Sequence, residues 1–373
     1  MFKIHLTQAK NKYEFEELVK VFLKSGAFQL IGPDDQESDY MDDQEKVEEK
    51  NIQEIRVPVF ATDSSSIKKE KEIKNQIKRF LFQELRHYTG ETPDWGILTG
   101  VRPVKLAGEL LHREGTAQKA KVILIQEYYL TEEKAQLLLD IVAYQGKLLK
   151  ASPGEAVGLY IGIPFCPTRC VYCSFPSNQG NTGDIESYLT ALHREISFTA
   201  KNMKQKGWYP ESVYIGGGTP TTLTAEQLDQ LLKHVTEEFD LSKMREFTVE
   251  AGRPDTITEE KLEVIKKYNA GRISINPQSM NISTLERIGR AHKPEDIEEA
   301  FRLAREAGIP MINTDVIAGL PEENVDDFIH TMEKVLALAP ENITVHTLAL
   351  KRASRLKEID SDFNYKQGKR VRA

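Results

Sequence analysis

From Val157 onward the chain alternates between short apolar runs and longer stretches whose apolar residues recur three and four apart. The runs predict strands at 157–163, 211–216, 245–250, 271–276, 311–317 and 342–349, and the helical spacing predicts helices at 184–205, 224–239, 258–269, 281–307 and 324–338. Strands that alternate with helices imply a parallel sheet with right-handed crossovers. Six such units fall short of the eight of a closed barrel. In parallel α/β folds ligands gather at the C-terminal ends of the strands, so the residues just after each run matter most.

The first 150 residues follow a different pattern. Residues 1–7 alternate like a strand, and 13–22 place Phe15, Leu18, Val19 and Phe22 on one helical face. The acid-rich run 33–50 reads as a solvated loop. Residues 54–60 read as an edge strand because of Pro58. Residues 64–88 read as a long helix with serines to cap it and Gly90 to stop it. Gly96, Gly100, Pro93 and Pro103 make 92–106 rich in turns, with a helix expected to start at Pro103. Within it Arg102 and Lys105 form a basic pair that suits an anion but reads more simply as part of a linker. Residues 127–150 read as helical, and Ser152-Pro153-Gly154 punctuates the boundary. This region is expected to be a separate, smaller α+β domain.

Length and composition add limits. A chain of 373 residues is comfortable for two domains, and 40% hydrophobic with 29% charged residues is ordinary for a globular protein. There is no apolar run of transmembrane length and no signal peptide at the start, and a net charge of −7 gives no global cue for nucleic acid. The expectation is a cytoplasmic monomer with neither membrane nor nucleic-acid partner. The three cysteines are expected to be reduced.

Those cysteines, Cys166, Cys170 and Cys173, are all the chain has, and they lie in one loop after the strand at 157–163, turned by Pro164 and Pro167. Their spacing is C-x3-C-x2-C. A disulfide would leave an odd thiol, and zinc would lack a fourth ligand unless a distant histidine joins. Three thiolates on an iron–sulfur cluster would leave one iron open to a small molecule. Burial as small apolar residues is the bland alternative.

Chemistry-bearing residues follow the later strands. Gly216-Gly217-Gly218-Thr219-Pro220 lets backbone approach a ligand, or simply makes a tight turn. Glu250 ends the third strand and can accept from both hydroxyls of a ribose, or pair with Arg253 or Arg272. Arg290 suits a carboxylate, or serves as a cation at a helix C-terminus. His292 beside it is read as surface or as lying behind the site.

With the aromatic Tyr172 before its last cysteine, the cysteine loop resembles the signature of radical S-adenosylmethionine (SAM) enzymes. That resemblance implies a partial (β/α)6 barrel, a 4Fe–4S cluster on Cys166, Cys170 and Cys173, and an open iron that chelates the amino and carboxylate groups of SAM. It implies that Gly217, Gly218 and Thr219 contact the methionyl amino end, that Glu250 and Gln278 serve the ribose, and that Arg290 pairs with the carboxylate. Asp315 would lie near the nucleoside, and Ala349 would offer a backbone contact. The set Y-x-x-I-P-F-C from Tyr160, with G-G-G-T-P, T-x-E, Q-S-M and D-x-I-x-G-L-P, is similar to the oxygen-independent coproporphyrinogen III oxidase family. Tyr160 joins the SAM residues on that basis, and the long N-terminal region resembles the HemZ-type branch.

The family resemblance implies haem biosynthesis: oxidative decarboxylation of coproporphyrinogen III to protoporphyrinogen IX through a 5′-deoxyadenosyl radical, fed by a cytosolic electron donor. Two positions depart from it. Gly162 stands where the oxidase has histidine, and Phe175 where it has a fourth cysteine. The same cysteine pattern occurs in a haem-chaperone branch, so a haem-binding protein that keeps the cluster and SAM site is the alternative. The expected divisions are 1–152 as accessory domain, 153–352 as radical SAM domain, and 353–373 as the start of a truncated C-terminal extension.

Overall fold

The computed structural model describes residues 1–8, 12–23, 26–35, 52–60, 67–99, 102–148, 152–175, 177–348 and 354–356. The chain forms two compact units, Met1–Ala151 and Ser152–Ala373.

In the first unit β1 (Phe2–His5) is flanked by β2 (Phe28–Ile31) and β3 (Gln53–Arg56), and both pairs are parallel. The sheet of the expected α+β domain is therefore wholly parallel. β2 has four residues, too few for its alternation to stand out in the sequence. α1 (Tyr13–Phe22) buries Phe15, Leu18, Val19 and Phe22 in one core with Ile4 of the sheet, Leu6 just beyond β1, and Ile77, Leu81 and Leu85 of α2 (Ile67–Thr89). The serines read as the cap of α2, and the acid run beyond Asp35, lie outside the described residues.

Three helices follow: α3 (Pro103–Glu114), α4 (Ala117–Gln126) and α5 (Glu132–Leu148). They share a core of Ala107, Leu110, Leu124 and Leu138. The helix expected over 127–150 begins only at Glu132. Residues 127–131 turn back instead, with Tyr129 at φ 59° and the Tyr128 carbonyl accepting from the Ile97 N–H. Gly96 makes that approach possible, since a Cβ there would lie 2.0 Å from the Tyr128 oxygen.

The second unit holds six parallel strands in sequence order: β4 (Ala156–Ile163), β5 (Tyr209–Gly217), β6 (Glu246–Glu250), β7 (Arg272–Ser274), β8 (Met311–Ala318) and β9 (Asn342–Thr347). The connections run through α6 (Thr182–Lys206), α7 (Ala225–Glu238), α8 (Glu259–Lys267), α9 (Ile282–Arg287), α10 (Pro294–Glu306) and α11 (Val325–Ala337). One row of each strand from β4 to β8 faces the helices: Ile161 and Ile163, Val213 and Ile215, Phe247 and Val249, Ile273, Ile312 and Val316 all join one core with Ile196, Leu231, Leu262 and Phe301. The opposite row is polar or small: Tyr160 and Gly162, Tyr214 and Gly216, Thr248 and Glu250, Arg272 and Ser274, Asn313 and Asp315. Side chains alternate along a strand, so this row lines the other face of the sheet. An apolar face under helices and a polar face opposite is the arrangement of a partial (β/α)6 barrel.

The helix expected at 281–307 is two helices. Gly289 takes φ 73°, and Pro294 opens α10 at its first turn, so residues 288–293 leave the helix and carry Arg290 and His292 inward. The strand expected to reach 276 ends at Ser274, and the one expected to reach 349 ends at Thr347. Among the described residues no helix is long and apolar enough to cross a membrane.

Candidate functional site: a thiol loop above the polar face of the sheet

The cysteine loop leaves β4 at Ile163 and is held from several sides. The Cys166 N–H donates to the Asn178 carbonyl, the Asn178 N–H to Pro164, and the Cys173 N–H to Cys170. Val171 donates its N–H to the Ile288 carbonyl and accepts at its own carbonyl from the Leu356 N–H and the Ser354 hydroxyl. All three cysteines are free thiols, with Cys170 buried and the others half-buried. Burial pushes the Cys166 and Cys173 thiols up, against the opposing contact from the Thr219 hydroxyl at Cys166.

The glycine turn packs directly on this loop. The Gly218 N–H donates to the Ile163 carbonyl and the Thr219 N–H to Phe165, and the Thr219 Oγ1 lies 3.4 Å from the Cys166 Sγ. A Cβ on Gly218 would stand 2.6 Å from the Phe165 oxygen and 3.0 Å from the Cys166 sulfur. Gly217 takes φ 117°, a conformation that glycine adopts without strain. Its N–H donates at 3.1 Å to one oxygen of Glu250, whose other oxygen accepts at 2.7 Å from the Tyr214 hydroxyl. Glu250 pairs with neither Arg253 nor Arg272, which go to Asp255 and Glu246. Burial pushes the Glu250 carboxyl up, while Tyr214 and Gly217 hold it down. Tyr160, 62% exposed, stacks on Tyr214 with ring centroids 5.8 Å apart.

Arg290 is buried rather than a surface cation. Its Nη1 donates to the Gly252 carbonyl and its Nη2 to the Tyr172 hydroxyl, while Nε has no partner. His292, read as surface or lying behind the site, is only 3% exposed with both ring nitrogens unpartnered. Burial, then the Arg290 charge, push its imidazole down to about 4. Gln278 stands at φ 67°, with its N–H on the Asp315 carbonyl and a buried, unpartnered Oε1. Asp315 accepts from the Asn313 amide at 2.8 Å and lies 3.9 Å from the His346 Nε2. Ala349 lies outside the described residues.

The residues present fit a cluster and a SAM-like ligand. Among the described residues no group of three or more His, Cys, Asp or Glu is gathered for a single ion. The orphaned Arg290 Nε and Gln278 Oε1 supply a donor and an acceptor of the kind buried sites reserve for ligands. Sequence reasoning missed two groups. Tyr214 was legible from the alternation that puts Gly216 on the polar face. The sequence offers Arg253 only as a partner for Glu250, yet its guanidinium reaches Thr168 and Cys170 in the cysteine loop.

Residues 160–335 match the model of the radical SAM superfamily. The oxygen-independent coproporphyrinogen-III oxidase-like protein HemZ of Bacillus subtilis is 43% identical over 82% of this chain and 62% of its own length. The heme chaperone HemW of the same organism is 36% identical over 51% of this chain and 49% of its own. Among solved structures, the coproporphyrinogen III oxidase HemN from Escherichia coli, described as a radical SAM enzyme, superposes with a TM-score of 0.51 at 28% identity. That match covers 57% of this chain and 49% of that one. The chain thus spans less than two thirds of the length of these relatives. On its residues, its sheet and these likenesses, the chain carries a radical SAM domain over 160–335, related to the coproporphyrinogen III oxidase-like proteins and to the haem chaperones.

Proposed function

We propose that the second unit holds a 4Fe–4S cluster on Cys166, Cys170 and Cys173 and SAM across the ends of β5 to β8, and that the chain is an oxidoreductase of haem biosynthesis acting on coproporphyrinogen III. The observation that carries the reading is the continuous path from thiol to carboxylate. Cys166 touches Thr219, the glycine turn packs on the Phe165 backbone and the Cys166 sulfur, and the same turn donates to Glu250. A ligand anchored at the thiols would meet these groups together.

In this reading the Cys thiolates hold the cluster. Gly218 and Thr219 hold the ligand's amino end, and the Arg290 fork, with Nε to spare, faces its carboxylate. Glu250 keeps lone pairs for ribose hydroxyls after accepting from Tyr214 and Gly217, with Gln278 and Asp315 completing the nucleoside side. When bound, cluster and SAM supply a carbon-centred radical that abstracts hydrogen; the protein supplies orientation and electrostatics. A low-potential cytosolic donor would provide electrons. The 43% likeness to HemZ, over 82% of the chain, favours a porphyrinogen as substrate.

A haem-chaperone reading is favoured by Phe175, 62% exposed at the position of the oxidase's fourth cysteine, and by the likeness to HemW. The test is anaerobic reconstitution, then SAM cleavage with and without coproporphyrinogen III. A brown protein whose formation of 5′-deoxyadenosine the porphyrinogen accelerates is the expected result. Stoichiometric zinc in a colourless protein would sink the cluster. Stable haem binding without stimulation would establish the chaperone.

A further inference from the structure

Arg253 lies three residues beyond the end of β6, immediately precedes the short 3-10 turn Pro254–Thr256, and is 3% exposed. All three of its nitrogens are engaged. Nε and Nη2 take the two oxygens of Asp255 at 3.0 Å each. Nη1 turns the other way, donating to the Thr168 hydroxyl at 2.8 Å, to the Thr168 carbonyl at 3.3 Å and to the Cys170 Sγ at 3.8 Å. Tying the 3-10 turn to the cysteine loop needs only a neutral donor. A buried guanidinium costs much more to desolvate than a neutral amide, so the charge calls for its own explanation. It lies against the most buried of the three thiols, where water screens least.

We propose that Arg253 is a positioning residue that sets the reduction potential of the cluster through the Cys170 sulfur, with Asp255 setting how much of its charge is felt. The proposal rests on the cluster reading above. Reduction brings in one electron from an external low-potential one-electron donor; no proton moves and no protein bond forms or breaks. The cluster becomes more negative by one unit, and a fixed donor and cation at a ligand sulfur favour that form. Hydrogen bonds to the sulfurs and local charge are established levers on such potentials. Asp255 holds the opposite edge of the fork, so it both aims Nη1 and offsets its charge.

The experiment is anaerobic reconstitution of the full chain and of Arg253→Met, Arg253→Lys and Asp255→Asn. Iron per chain is measured, and the midpoint potential is found by dithionite titration followed by electron paramagnetic resonance. With iron content held, Arg253→Met shifts the reduction equilibrium at least tenfold toward the oxidised form, about 59 mV lower for one electron. Arg253→Lys, which keeps the charge, stays closer to the parent, and Asp255→Asn moves the opposite way. A mere brace between loops gives no such opposed pair. Equal potentials in all loaded variants, or shifts of Arg253→Met and Asp255→Asn in one direction, would overturn the proposal. Should Arg253→Met take up no iron, Asp255→Asn decides alone: a raised potential supports the proposal and an unchanged or lowered one ends it. A parent chain that binds no iron fails the cluster reading itself, which the iron assay shows separately.

Discussion

Replacing His292 by Phe should remove a pH-dependent weakness of the second unit. In the fold the imidazole is buried without a partner, and its pKa falls to about 4. In the unfolded chain it returns to about 6.5. Between these values the unfolded chain binds more protons than the native one, so stability is full above pH ~6.5, declines as the pH falls, and levels off below ~4. A gap of roughly 2.5 units at 1.36 kcal/mol each puts the loss at about 3 kcal/mol. Glu250 and Glu323, whose carboxyls burial pushes up, titrate with the opposite sign and partly mask it. The variant must therefore be compared with the parent at each pH, so that shared terms cancel. Urea unfolding of the cluster-free chain at several values from pH 7 to 4 supplies the comparison. The two should diverge on acidification, the parent losing more stability by about 3 kcal/mol. Parallel curves would refute the account of His292.

Tyr214→Phe should weaken SAM binding roughly tenfold while leaving iron uptake intact, since it removes one donor from a carboxylate. The same loss leaves Glu250 still more easily protonated, so affinity measured by titration calorimetry should begin to fall at a higher pH than in the parent; an unaltered pH profile would contradict this. Gly218→Ala forces a Cβ into the Phe165 oxygen and the Cys166 sulfur, so it should cost about 1–3 kcal/mol and lower iron loading. Parent-like melting and iron content would show that the turn has room to move.

Most of the sheet was legible because its two faces differ so sharply. Ile161, Val213, Val249 and Ile273 alternate with Tyr160, Tyr214, Glu250 and Arg272, and such alternation survives in a bare sequence. The segment between α9 and α10 was not. Apolar spacing runs on through 281–307, and only the positive φ at Gly289 followed by Pro294 diverts the backbone. That diversion buries Arg290 and His292, which a continuous helix would leave near its surface. The roles of Arg253 and Tyr214 depend on neighbours 83 and 36 residues away, at Cys170 and Glu250, and no local pattern records such meetings.

Val171 has a consequence for the order in which the protein becomes competent. Its carbonyl receives the Ser354 hydroxyl and the Leu356 N–H, a meeting of residues 183 positions apart for the first pair. Leu356 is buried, and Leu348 packs with Tyr172, Leu285 and Ile288 beneath the same loop. Contacts of that span carry a larger loop-closure cost than local ones. During synthesis the three thiols leave the ribosome early, while the clasp that fixes their loop is made nearly two hundred residues later. A chain interrupted before Ser354 therefore carries the three thiols without this clasp, although the contacts of their loop to Asn178 and Ile288 are already encoded.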